Sequence, residues 1–338
     1  MVRLLRCLPV LILFLLASPP IVRAHAANLS LPDNLQAILD NIYSGHHDQA
    51  FEEIHELESQ SPNDPLGYLL EAEAEWWPIW CVSAEFKYGM TMARHHDKGP
   101  ADQRYFDLTT KAYSLANASL RQQDSAEMHL YAAMADALAS RLYSLRGEYR
   151  ATARVGVRAR ENFQKAIAMD PSLSDAYTGL GLYNYYVDTL STLARLLRFV
   201  MGIPGGSKEQ GILQLERAIR EGKITPPVAR FYLALNLENY DQQYGQALDV
   251  IRPLVEKYPD NAMFQLVQGD LYSKLGRKAQ AEASYRTAIT VAAQETNSQC
   301  RANLTRLAQE SLAAMAPART EPATRKEESG VLSGDSEL

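Results

Sequence analysis

GDLYSKLGRKAQAEASYRTA, running from Gly269 to Ala288, is the stretch whose reading decides the fold. Its small and aromatic residues, Gly269, Tyr272, Gly276, Ala281, Tyr285 and Ala288, follow one another at offsets of 3, 4, 5, 4 and 3. That spacing predicts two short helices packed as a hairpin. Gly269 and Ala281 are small where neighbouring helices touch, and Tyr272 and Tyr285 are large where a gap has to be filled. Gly276 supplies the positive φ that the turn requires.

A hairpin of this size cannot bury its apolar face alone, so the same signature has to recur at a period of about 34. It does. Ala247, Ile251, Leu254 and Pro259 repeat the second-helix pattern, with Ala247 placed 34 residues before Ala281. Gly211, Leu215 and Ala218 form a weaker copy. Ala159, Phe163, Ala166 and Pro171 form a strong one, and Ala50, Ile54, Leu57 and Pro62 give the first. On these residues the chain resembles the tetratricopeptide-repeat family over nearly its whole length after residue 26.

The expected architecture is all-α: a right-handed α-solenoid of about six helical hairpins, near 34–60, 66–122, 125–170, 174–222, 226–258 and 262–294. Leu304, Leu307, Ala308, Leu312 and Met315 share one face of a last helix, which reads as the cap closing the array. The solenoid spans 27–315. Insertions near 66–146 and 187–208 interrupt the period, since Ala50 and Ala159 are 109 residues apart and Ala159 and Gly211 are 52 apart.

The ends are of another kind. Arg3 and Arg6, an apolar run from Leu8 to Ala17, Pro19-Pro20 and Ala24-His25-Ala26 read as a secretory signal peptide over 1–26. The run is too short to span a bilayer, so a soluble, periplasmic product is expected. Residues 316–338 are rich in Pro, Glu, Ser, Thr and Gly and read as a disordered tail. Removing the signal takes three of the 34 basic residues and leaves 31 against 40 acidic ones, a balance that argues against a nucleic-acid partner. Cys81 and Cys300 remain. In a solenoid each repeat touches only its neighbours, so these two are expected as free, buried thiols in spite of an oxidising compartment.

Chemistry is sparse. His46-His47-Asp48 and His95-His96-Asp97 fall in turns, and Glu52-x-x-His55 occurs once where a two-metal bundle needs it twice. Gly205-Gly206-Ser207-Lys208 lacks the strand and glycine spacing of a phosphate loop; Ser207 followed by Gln210 is a capping box. No nucleophile elbow, zinc-protease helix or Cys/His pair is present. No catalytic residue, metal or cofactor is assigned. From Ser191 to Met201, Leu193, Leu196, Leu197, Val200 and Met201 form an amphipathic stripe. Two uses of the 191–204 segment are open: packing onto the array, or docking on a partner or a membrane surface.

Charge is uneven. No Lys or Arg occurs from Ala27 to Phe86, while Arg146, Arg150, Arg154 and Arg158 recur every fourth residue as a basic ridge. The ridge reads as a solvated face, as a site for an acidic partner, or as a contact with the acidic end if the array curls. The resemblance further implies that the second, fifth, ninth, twelfth and thirteenth positions of each repeat line the concave face. These are Asp175, Thr178, Leu182, Tyr185 and Tyr186; Ala229, Tyr232, Asn236, Asn239 and Tyr240; and Leu66, Leu69, Glu73, Trp76 and Trp77, with Pro78 disturbing the last register. Only Asn236 matches the family's carboxylate clamp. Trp76, Trp77, Tyr185, Tyr186, Tyr232, Asn236, Asn239 and Tyr240 are the candidate partner-binding residues. The expected function is a non-enzymatic exported scaffold for a protein or peptide in the bacterial envelope; a glycan or wall-polymer module is the alternative, and a metal-dependent enzyme fits less well.

Overall fold

The computed structural model describes residues 29–83, 97–190, 198–199 and 202–316. The signal peptide, the tail from 317, most of the 191–204 stripe and the His95-His96 pair lie outside them. Within the described residues the chain is helical and has no strand. Six hairpins follow one another: α1 (Leu35–Ser44) with α2 (His47–Gln60), α3 (Pro65–Ser83) with α4 (Asp102–Leu120), and α5 (Ala126–Leu145) with α6 (Tyr149–Met169). Then come α7 (Ala176–Thr189) with α8 (Lys208–Glu221), α9 (Pro226–Asn239) with α10 (Tyr244–Lys257), and α11 (Ala262–Lys274) with α12 (Lys278–Ala292). A last helix, α13 (Ser298–Met315), caps the array.

Local chemistry sets the boundaries. Gly276, at φ 71°, turns α11 into α12, where an L side chain would be strained. The Ser207 hydroxyl accepts from the Gln210 N–H at 3.3 Å and opens α8 as a cap, which accounts for the Gly-Gly-Ser-Lys run without any phosphate. Asn297 caps α13 by accepting from both the Gln299 and Cys300 N–H groups. The repeating small residues lie where helices touch: a Cβ placed on Gly269 would sit 2.6 Å from Tyr285 Cε1. Ala50, Ala159, Ala247 and Ala281 are all buried at the equivalent place in their own hairpins.

One expectation fails, and it changes the shape. Cys81 and Cys300 form a disulfide with their Cα atoms 5.2 Å apart, joining α3 to α13 across 219 residues. The array is therefore not an open solenoid whose repeats meet only their neighbours. The physical reason is α3. Its 19 residues make a helix about 28 Å long, and Trp76, Trp77, Ile79, Trp80 and Cys81 leave it apolar on every side at its C-terminal half. Such a helix has to be covered all round, and the later repeats curl back to cover it. Trp77 packs edge-on against Phe231 of α9 and Phe264 of α11, at 5.2 and 5.8 Å between ring centroids. Trp80 stacks on Tyr232 at 5.5 Å. Pro78 sits inside α3 without ending it.

Polar contacts tie the same seam. Asn303 of α13 donates to the Cys81 and Val82 carbonyls at 3.2 and 2.9 Å. Asn261 donates to the Tyr43 carbonyl at 2.9 Å, the Tyr258 hydroxyl donates to Asp40 at 2.9 Å, and Lys257 pairs with Asp40 at 2.8 Å. The first hairpin thus meets the fifth and sixth, and part of the N-terminal acidity is answered from the far end of the chain. No helix among the described residues is long and apolar enough to cross a membrane.

Candidate functional site

Closing the array turns its concave face into a cavity of about 980 Å³, walled by α1, α3, α5, α6, α7 and α9. These are the first helices of the first five hairpins together with α6, whose 21 residues carry it along one wall. Most of the wall is aliphatic and aromatic, with Leu39, Leu69, Leu138, Phe163, Leu182 and Val228 contributing.

At the floor lies an ion pair. Arg141 of α5 donates to Glu73 of α3 at 2.6 Å, with the two side chains only 13% and 11% exposed. The Tyr43 hydroxyl donates to the other carboxylate oxygen at 3.2 Å. The Arg141 guanidinium lies 5.9 Å from the Trp76 ring and 5.3 Å from the Tyr232 ring. Burial works against its charge, but Glu73 outweighs that and holds the guanidinium more firmly protonated than usual. Burial pushes the Tyr232 hydroxyl well above the ordinary tyrosine range, with Arg141 acting against the rise. The Trp76 N–H lies near that oxygen without reaching hydrogen-bond geometry, and the Tyr232 and Tyr186 hydroxyls are buried without a partner.

Other polar groups of the wall serve the fold. Asp175 accepts from the backbone N–H groups of Lys223, Ile224 and Thr225, serving the start of α9. Thr178 and Thr225 share one hydrogen bond at 2.7 Å. One end of the cavity is cationic. Arg160 stands 5.5 Å from the Tyr183 ring, Arg198 donates to the Ile203 carbonyl at 3.0 Å, and both charges act on the Tyr183 hydroxyl, which donates to the Pro204 carbonyl. The Arg198 Nε is buried and has no partner. Tyr149, 60% exposed, and Arg150 mark a second edge of the cavity, about 15 Å along α6 from Arg160.

The repeat positions located the cavity better than the residues chosen from them. Asp175, Thr178, Leu182 and Tyr186 all line it, as do Leu69, Glu73 and Tyr232. Trp76, Trp77, Tyr185 and Asn236 are buried between helices and do not line it, because large aromatics are what closes the gaps between helices. Tyr185 donates to the Asn236 carbonyl at 3.0 Å and to Asp241 at 2.9 Å, and packs edge-on with Tyr186 and Tyr240. Asn239 donates to Leu235 of its own helix at 3.0 Å.

The four arginines of the basic ridge face different surroundings. Arg146 lies beyond the end of α5, buried, with two 2.7 Å hydrogen bonds to Asp102. Arg158 forks onto Asp136 of α5 and covers the Tyr113 ring at 4.3 Å. Arg154 is exposed, and Arg150 alone of the four faces the cavity. Arg141 and Arg160, off the four-residue period, are the cavity arginines that the period could not mark.

Among the described residues no group of three or more His, Cys, Asp or Glu is placed to hold a metal ion. His55 meets Glu71 at 3.2 Å, but Arg104 is already on the same carboxylate and pairs with Glu75 at 2.8 Å.

Hairpins stacked in sequence, with the smallest residues at each crossing, define an α-solenoid of the tetratricopeptide type. The family model described as "Tetratricopeptide repeat" matches residues 264–295, the hairpin of α11 and α12. Two solved structures are similar to it. One, YrrB, described as a TPR protein with an unusual peptide-binding site, is 17% identical with a TM-score of 0.32, over 76% of this chain and all of that one. The other, the C-terminal part of a TPR repeat-containing protein from Cytophaga hutchinsonii, is 14% identical with a TM-score of 0.34, over 85% of this chain and 96% of that one. No curated protein matches.

Proposed function

We propose that this chain is an exported, non-enzymatic scaffold of a bacterial cell envelope that recruits a protein or peptide partner at the edge of its concave face. The observation that carries this reading is the exposed rim at the start of α6. There Tyr149, 60% exposed, stands beside Arg150 at the cavity edge, and Arg154 follows one turn on. An exposed aromatic flanked by arginines is the composition of interface hot spots. The Cys81–Cys300 bridge supports export, because such bonds form and persist in oxidising compartments.

A pull-down from envelope extract with the wild type and a Tyr149→Ala/Arg150→Glu variant tests the reading. The rim variant keeps the fold, since both positions are exposed, and is expected to lose the partners that the wild type retains. Recovery of the same partners by both proteins refutes the rim as the docking edge.

A further inference from the structure

Three features of the cavity point to one class of ligand, independently of the partner proposed above. The first is its wall. A peptide brings one N–H and one C=O per residue, and each loses its water on entering. The wall has few groups to replace that water: Arg141 and Tyr43 hold Glu73, while Asp175, Thr178 and Thr225 serve one another or the start of α9, and only scattered hydroxyls such as those of Tyr186 and Tyr232 are left along an otherwise apolar lining. A hydrocarbon chain brings no such groups. The second is size: about 980 Å³ lies at the upper end of the range that small-molecule sites occupy, roughly 300–1,000 Å³.

The third is charge. Arg160 and Arg198 both act on Tyr183 at one end of the cavity, and no carboxylate among the described residues pairs with either. The two carboxylates that line the cavity are spent elsewhere, Glu73 on Arg141 and Asp175 on the start of α9. Two guanidinium groups near one tyrosine repel each other, and Arg198 Nε is a buried donor without an acceptor. An anion between them relieves the repulsion and satisfies that donor.

We infer that the cavity binds a long-chain fatty acid, with its carboxylate held by Arg160 and Arg198 beside Tyr183 and its chain laid along α5, α6 and α7 towards the Glu73–Arg141 floor. Gly156 of α6 lies one turn from Arg160 on the cavity wall. A Cβ there would meet only Ser140 Oγ, at 3.7 Å, so a larger side chain projects into space and not into a neighbour. Leucine also forms helix better than glycine, so Gly156→Leu keeps the fold.

The test uses the oxidised protein and the fluorescent fatty acid cis-parinarate, read by energy transfer from the buried tryptophans, with displacement by palmitate and by its uncharged alcohol, hexadecanol. Saturable parinarate binding is expected, displaced by palmitate about tenfold more readily than by hexadecanol. Arg160→Gln/Arg198→Gln is expected to remove that tenfold preference while leaving hexadecanol displacement unchanged. Gly156→Leu is expected to abolish binding with an unchanged circular-dichroism spectrum. No binding by the wild type, or equal binding by Gly156→Leu, overturns the cavity as the site. Equal displacement by palmitate and hexadecanol overturns the carboxylate assignment. None of these results depends on the pull-down.

Discussion

Replacing Cys300 with serine removes the covalent link between α3 and α13 and leaves the rest of the seam in place. The link closes a loop of 219 residues. In the chain-entropy treatment, restraining a denatured chain over such a loop is worth about 5 kcal/mol at 25 °C, near the top of what any single bridge supplies. Measured losses for native bridges fall at 2–5 kcal/mol, and the seam here keeps Asn303 on the Cys81 and Val82 carbonyls and Asn261 on the Tyr43 carbonyl. We therefore expect Cys300→Ser to lose about 3–5 kcal/mol, read as a fall in the urea midpoint. The slope of the transition should steepen at the same time, because the unbridged denatured chain exposes more surface. Reduction of the wild type by dithiothreitol under mild denaturation should reproduce both changes. Two titratable thiols in the oxidised, folded protein, or equal midpoints for wild type and variant, would refute the closed ring as the state that the bridge holds.

Arg141→Met leaves Glu73 as a buried, unpaired carboxylate and should cost about 3–5 kcal/mol by urea melt, most of which Glu73→Gln in the same chain should restore. Burial and the neighbouring Glu71 raise the Glu58 carboxyl to about 7. Its folded-state affinity for a proton exceeds its unfolded one, so the stabilisation is present below about pH 4.5 and is lost as pH rises through 7. Because Glu58 is partly exposed, the loss between pH 5 and 8 should be about 1 kcal/mol rather than the full shift, and Glu58→Gln should flatten the pH dependence of the melting temperature.

The repeats were legible because the information in them is local. Ala247, Ile251 and Leu254, or Ala281, Tyr285 and Ala288, specify one helix crossing with residues a turn apart, and the crossing looks the same wherever the hairpin stands. Ring closure was not legible from that signal. It depends on small rotations accumulated over six hairpins, which no single spacing records. A different signal was present: Trp76-Trp77-Pro78-Ile79-Trp80-Cys81-Val82 has no charged residue to face water. A first helix with no polar side in its C-terminal half belongs at the axis of something, not along the lining of an open groove. The cavity was half legible for a related reason. Repeat positions say which side of a helix faces inward, but burial depth decides whether an inward tyrosine meets a ligand or another helix. Arg141 and Arg160 matter because of where α5 and α6 end up, and the four-residue arginine period expressed only the regularity of α6.

The order of the chain gives α3 a long wait. Its three tryptophans are made early, yet Phe231 and Phe264 that cover Trp77, and the Cys300 that reaches Cys81, come more than 150 residues later. Until then the growing protein carries an uncovered aromatic rod, the kind of surface that aggregates or attracts chaperones. The ring can close only when nearly the whole described chain is present, so a chain cut off before α13 should be lost to aggregation or proteolysis and not persist as a smaller array.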